Sequence, residues 1–293
     1  MLARLKFDLN TVANKILDSL DPALFESKKT TFLDPCMGGG QFLKAIEDRL
    51  RLYGHSDKNI AKRVTGYAEN YLDIGYTKKA MGVVSHMEVK DINEIEDMKF
   101  DVIMGNPPYG KNANLAIEFL NQSAEYSNTM IMVLPKTLKK KSAVNRVRDD
   151  LHLIEHVDND DDAFGIESGL RTCNQTWVLD KTKKRELETV RKKGELTDYF
   201  EFVDMASSDI AIGRVGRKAA GRVFAREDRK GKEKHYEDKS PNSHYFIKVK
   251  NKAVLKQLRS LEKEMKALAD DTVSNPSLSI DDIAELYLDQ FGK

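Results

Sequence analysis

An open α/β sheet, largely parallel and with helices on both faces, is the fold this 293-residue sequence predicts. Three observations carry that expectation. The runs Phe100–Gly105 (FDVIMG) and Thr129–Leu134 (TMIMVL) are apolar without polar alternation, as strands buried on both faces are. Segments of helical periodicity separate such runs, the pattern of parallel strands joined by crossover helices. Two of the strand ends also run into loops suited to ligands, and in open α/β sheets ligands bind at the carboxyl ends of the strands.

Composition sets outer bounds. The chain is long enough for one full α/β domain and a smaller one. At 40% hydrophobic and 32% charged it is ordinary in make-up, and a net charge of +1 confines any basic surface to a local patch. Two cysteines, Cys36 and Cys173, suggest neither a disulfide framework nor a zinc site, which fits a reducing cytoplasm. No apolar run approaches the length of a membrane span. A cytoplasmic protein with no membrane partner and no metal is therefore expected.

Taken in order, residues 6–20 place Val12, Ile16, Leu17 and Leu20 at helical spacing, with Asn10 or Thr11 as N-cap. A strand then ends at Asp34, followed by Pro35-Cys36-Met37 and the glycines Gly38, Gly39 and Gly40, and a helix runs from Gln41 to about Tyr53. Glycines let a backbone approach a ligand closely, and the helix N-terminus adds unpaired amides. No Lys-Ser or Lys-Thr follows the glycines, so this is not a nucleoside-triphosphate loop. The carboxylate at the strand end points to a ligand bearing an ammonium or sulfonium group.

Residues 63–69 read as a second strand ending at Glu69, placed to accept hydrogen bonds from ribose hydroxyls. A helix over 71–81 leads to a third strand over 83–89, ending near Asp91 and Ile92, where an acid reads an exocyclic amine and the aliphatic side chain packs on its ring. The strand 100–105 then ends in Asn106-Pro107-Pro108-Tyr109. Two prolines remove two donors and stiffen the turn, leaving carbonyls free to accept. The Asn106 amide oxygen and the Pro107 carbonyl can receive both hydrogens of one planar NH₂ group, with Tyr109 laid over the ring that bears it. Asn-Pro and Pro-Pro are also ordinary turn formers, so it is the glycine loop upstream that favours the chemical reading. A helix over 112–126, a strand over 129–134 and further strands over 152–158 and 172–179 complete the domain. Between the last two lies an acidic loop, 159–169, whose aromatic Phe164 either contacts a base or anchors the loop.

Together these residues resemble the S-adenosylmethionine-dependent N6-adenine DNA methyltransferases. DPCMGGGQFL is similar to that family's cofactor loop and NPPY to its catalytic tetrapeptide, in the order of the gamma arrangement, with target recognition C-terminal. The resemblance implies a Rossmann-like, seven-stranded class I methyltransferase sheet over residues 1–180. It implies S-adenosyl-L-methionine as cofactor, held by Asp34, Pro35, Gly38 and Gly40 at the methionine end, Glu69 at the ribose, and Asp91 with Ile92 at the adenine. Asn106, Pro107 and Tyr109 would act on a flipped adenine, with Phe164 as a second base contact. The partner implied is DNA, and a separate restriction endonuclease fits a chain without a recognisable nuclease motif. The same tetrapeptide also occurs in RNA adenine and protein glutamine methyltransferases, which remain the alternatives.

From about Lys181 the composition turns charged, and residues 181–293 read as a small, basic α+β recognition region. Lys181–Gly194 reads as a solvated helix or linker. Between 211 and 234 nine basic residues, Arg214, Arg217, Lys218 and Arg222 among them, stand against three acids. With glycines at 213, 216 and 221, this reads as a partly mobile loop following a phosphate backbone. Val254, Leu258, Leu261, Met265 and Leu268 repeat at steps of four and three, which packing inside that region explains better than a coiled coil. The last helix, 280–287, starts at Ser279 with Asp282 in capping-box spacing.

Overall fold

A computed structural model describes residues 2–67, 88–90, 99–160, 163, 169–226, 236, 239–272 and 274–292. The chain divides into two compact units, residues 1–139 with 143–187, and residues 140–142 with 188–293.

In the first unit, α1 (Leu2–Ser19) precedes β1 (Phe32–Asp34) and α2 (Gln41–Leu52). Then come β2 (Val64–Tyr67), β3 (Glu88–Lys90), β4 (Val102–Gly105), α3 (Asn114–Ser123), β5 (Thr129–Pro135), β6 (Leu151–Asp158) and β7 (Thr172–Leu179). The strands form one seven-stranded sheet in the order β3-β2-β1-β4-β5-β7-β6. The pairs β1/β2, β1/β4, β2/β3 and β4/β5 are parallel, whereas β7 runs antiparallel to both β5 and β6.

The apolar runs explain the burial. Val102, Met104, Ile131 and Val133 face a core shared with Val12, Ile16 and Leu17 of α1 and with Phe42, Ile46 and Leu50 of α2. Their neighbours Ile103, Met130, Met132 and Leu134 face the opposite core, closed by Ala116, Ile117 and Leu120 of α3. Alternate residues of one strand thus go to opposite layers, so both must be apolar.

Several boundaries differ from expectation. α1 begins at Leu2, so Asn10 and Thr11 lie inside it rather than at its start. The upstream residues are strong helix formers with no glycine or proline, and nothing halts the helix at Asn10. α3 starts at Asn114 rather than 112, because Asn112 (φ 53°) and Ala113 (φ 60°) are left-handed and break the helical path. The expected helix 71–81 lies outside the described residues.

The second unit contains β8 (Phe200–Phe202), β9 (Ile210–Gly213), β10 (Val223–Ala225) and β11 (His244–Val249) in an antiparallel sheet ordered β10-β9-β11-β8. Three helices follow, α4 (Ala253–Ser260), α5 (Glu262–Asp270) and α6 (Ile280–Phe291). They cover one sheet face, where Val254, Leu258, Leu261 and Met265 meet Ile210, Ile212, Val223 and Ile247. The four-and-three repeat therefore serves packing, and it is split over two helices at Leu261.

Residues 181–192 form no helix, so the linker alternative is the observed one. The basic stretch is not one loop. Its first part folds into the β9–β10 hairpin, because Ile210, Ile212 and Val223 have a core to enter. Gly213 and Gly221 are needed there: a Cβ on Gly213 would fall 1.8 Å from the Ala219 carbonyl oxygen, and Gly221 has φ +83°.

At α6, Ser279 Oγ accepts the Asp282 N–H at 3.0 Å and Asp282 Oδ2 accepts the Ser279 N–H at 2.8 Å. Ser279→Ala removes one half of this reciprocal cap. It is expected to cost about 1 kcal/mol, read as a lower urea midpoint of the full chain.

Candidate active site at the ends of β1 and β4

Because β1 and β4 are parallel neighbours, in register at Phe32↔Val102 and Leu33↔Ile103, their carboxyl ends share one edge of the sheet. That adjacency joins two motifs distant in sequence. A Cβ built on Gly105 would fall 2.7 Å from Asp34 Oδ1 and 3.4 Å from Cys36 Sγ, so only glycine lets the strand pass this close.

Asp34 is buried, and its Oδ1 accepts the Cys36 backbone N–H at 3.1 Å. Burial raises its carboxyl to about 7, against the hydrogen bonds from Cys36 that favour the anion. The Cys36 thiol lies beside the Asp34 carboxyl and the backbone of Asn106. Burial and the neighbouring Asp34 charge push the thiol well up, so it stays protonated and can donate. Cys36 therefore links the glycine loop to the tetrapeptide.

In the tetrapeptide, Pro107 is buried while Asn106 and Tyr109 are half-buried. The Tyr109 hydroxyl donates to Asn106 Oδ1 at 2.8 Å, and the ring packs beside the core on the α3 side. Burial pushes the phenol well above its ordinary value, keeping it a neutral donor. One lone pair of Oδ1 is thus taken and the amide is oriented by it. A carbonyl oxygen has a second lone pair, which remains for another donor.

The glycine loop turns through Gly38 (φ 45°) and Gly40 (φ 75°). Gly40 stands at the N-cap of α2 with no side-chain cap, so the first-turn amides are left to backbone, water or a ligand. Pro35 is buried behind the loop. A buried carboxyl with no cation partner among the described residues, a positive-φ glycine turn and a helix start without a side-chain cap together fit the cationic amino-acid end of S-adenosylmethionine. Among the described residues, no group of His, Cys, Asp and Glu could hold a metal ion, and no helix is long and apolar enough to cross a membrane.

The structure therefore brings together Asp34, Pro35, Gly38, Gly40, Asn106, Pro107 and Tyr109. Glu69, Asp91, Ile92 and Phe164 lie outside the described residues. Arg214, Arg217, Lys218 and Arg222 belong to the second unit, all exposed on the hairpin turn or its flank. Two residues of the site escape a reading of the sequence. Gly105 and Cys36 matter through a contact between strand ends, and the signal for the first is its place just ahead of the tetrapeptide. Gly105→Ala is expected to destabilise the protein by about 1–3 kcal/mol through overpacking, seen as a lower Tm.

A family model described as the Eco57I restriction-modification methylase matches residues 41–141. The match begins just after the glycine loop and contains the tetrapeptide, and over this stretch it bears out the resemblance to DNA methylases. No curated protein matches the chain. Among solved structures, a protein described as a class I S-adenosylmethionine-dependent methyltransferase from Listeria monocytogenes is 15% identical with a TM-score of 0.47, over 62% of each chain. A protein described as a modification subunit of a type I restriction enzyme from Vibrio vulnificus is also 15% identical with a TM-score of 0.47. That match covers 64% of this chain and 50% of that one. TrmN from Thermus thermophilus is 13% identical with a TM-score of 0.42, over 59% of this chain and 48% of that one. The chain thus spans 62% and 50% of the first two structures it resembles.

Proposed function

We propose that this chain transfers a methyl group from S-adenosylmethionine to the N6 amino group of a flipped adenine in DNA. The observation that carries the reading is the contact of Asp34 and Cys36 with Gly105 and Asn106. It sets a cation-seeking cofactor loop against a rigid pair of amino-group acceptors.

When bound, the cofactor supplies an electrophilic methyl group on a sulfonium. Asp34 would take its ammonium end, with Gly38, Gly40 and the first turn of α2 around it. Glu69, and Asp91 with Ile92, are proposed for the ribose and adenine. The chain's own residues act on the amino group. Adenine N6 is a poor nucleophile because its lone pair is delocalised into the ring. Asn106 Oδ1 and the Pro107 carbonyl, accepting its two hydrogens, favour a pyramidal nitrogen with a more localised pair. Tyr109 keeps the Asn106 amide oriented through its hydroxyl and offers its ring to the extruded base, where stacking is worth roughly 1–3 kcal/mol. Alignment for in-line transfer is the main task, and no strong base is required. Phe164 is proposed as a second base contact, the 181–293 region as the recognition part, and a separate restriction endonuclease as the functional partner.

The test offers labelled S-adenosylmethionine with unmethylated DNA, RNA and bacterial protein in parallel, followed by nucleoside analysis. N6-methyladenine in DNA is the expected product. Label confined to RNA or protein overturns the substrate. On the same chemistry, Gly105→Ala is expected to lower kcat/KM on the order of 10²-fold, since it displaces the two halves of the site.

A further inference from the structure

The hairpin Ile210–Arg226 carries five basic residues and no acid. Register places Phe224 opposite Ala211, and Ala211 opposite Phe246, so these three share a row on one face of the second unit's sheet. Their neighbours Ile210, Ile212, Val223 and Ile247 fill the other face, under the helices. Among the described residues, the first face holds only a small apolar cluster of Ala211, Tyr236 and Phe246, with Met205 and Phe224 at its margin.

Phe224 is half-buried. Lys239 Nζ lies 3.7 Å from its ring centroid and Arg222 Cζ 5.4 Å from it. Arg226 Cζ lies 5.1 Å from the Tyr236 centroid on the same cluster. The His244 ring meets Phe224 edge-on at 5.6 Å, and burial together with Lys239 lowers its imidazole so that it stays neutral. Aromatic rings thus alternate with cations, on a hairpin that has no carboxylate of its own.

We propose that this face is a nucleic-acid-binding surface, where Phe224 meets an unstacked base or a sugar while Arg222 and Lys239 take phosphates. The chemistry favours nucleic acid over an acidic protein. A strand offers flat rings and anions at close intervals, and stacking on an aromatic face tolerates any base. The inference rests on the DNA reading above and assigns that partner a place.

The experiment measures binding of the full chain to fluorescein-labelled single-stranded and duplex oligonucleotides of mixed sequence, by anisotropy over a salt series. Methyl transfer to DNA is measured alongside. Phe224→Leu keeps an apolar side chain at the cluster and is expected to weaken binding roughly tenfold without altering the salt slope. Arg222→Gln with Lys239→Gln is expected to flatten the slope of log K against log salt by about 1.8 on duplex. Wild-type affinity and slope in both variants would overturn the surface, while DNA methylation by the parent protein would leave the function standing. Weakened variants with no methyl in DNA would uphold the surface and overturn the function. A parent protein that neither binds oligonucleotides nor methylates DNA overturns both.

Discussion

Asn106→Ala is expected to lower the single-turnover rate of methyl transfer by roughly two to three orders of magnitude, with cofactor affinity nearly unchanged. In the proposed mechanism the lost group is a preorganised acceptor at the reacting nitrogen, while the glycine loop keeps Asp34 and its glycines. The variant also strands the Tyr109 hydroxyl, which now donates to Oδ1 at 2.8 Å. Tyr109→Phe separates the two roles. It keeps the ring for stacking but frees the Asn106 amide to rotate, and a loss of about threefold to tenfold is expected, the weight of one neutral hydrogen bond. Rapid-quench kinetics with labelled cofactor, and titration calorimetry for cofactor binding, provide the readouts. Turnover in Asn106→Ala equal to the parent's would remove Asn106 from the mechanism.

Much of this was legible because both motifs act locally. A strand, a carboxylate and three glycines are adjacent in sequence, as are Asn106 and Tyr109, so spacing alone puts each set at a strand end. What joins the sets was not legible. The approach of Cys36 to Asn106 and the close passage of Gly105 over Asp34 depend on β1 and β4 being neighbours, a property of sheet order. The sheet itself could be read from FDVIMG and TMIMVL, since a strand buried on both faces has no polar position to spare. Boundaries failed where a local cue was outweighed. Asn10 looks like a cap, but the helix formers before it carry α1 past it. Asn112 and Ala113 look helical, yet the backbone leaving the tetrapeptide needs them left-handed. In the second unit, charge concealed the β9–β10 hairpin, whose apolar residues are few and interrupted by arginines.

The second large effect concerns pH and comes from Asp34. Its carboxyl is held near 7 because burial penalises the anion more than the Cys36 hydrogen bonds favour it. A cationic cofactor binds the anionic form, so binding below that value must expel a proton. The dissociation constant for S-adenosylmethionine is therefore expected to rise up to tenfold for each pH unit below about 7 and to level off above it. The window to examine is roughly pH 5.5 to 7, short of the cofactor's own α-amino titration near 8. Stability should run the other way. An unfolded Asp loses its proton near 3.8 and the folded one near 7, so between those values the native state holds more protons and stability falls as pH rises. Asp34→Asn removes the charge that burial resists and retains an acceptor for the Cys36 N–H. It is expected to be more stable than the parent above pH 7, by roughly 1–4 kcal/mol, while binding cofactor weakly and without the pH slope. Calorimetric titration and thermal melts across the window check both halves. A slope of equal size in Asp34→Asn would assign the titration to another group, and a flat parent profile would remove Asp34 from the cofactor site. Opposed signs are what a residue kept for a cationic ligand would show: the burial that weakens the fold would also make the carboxylate bind a cation strongly.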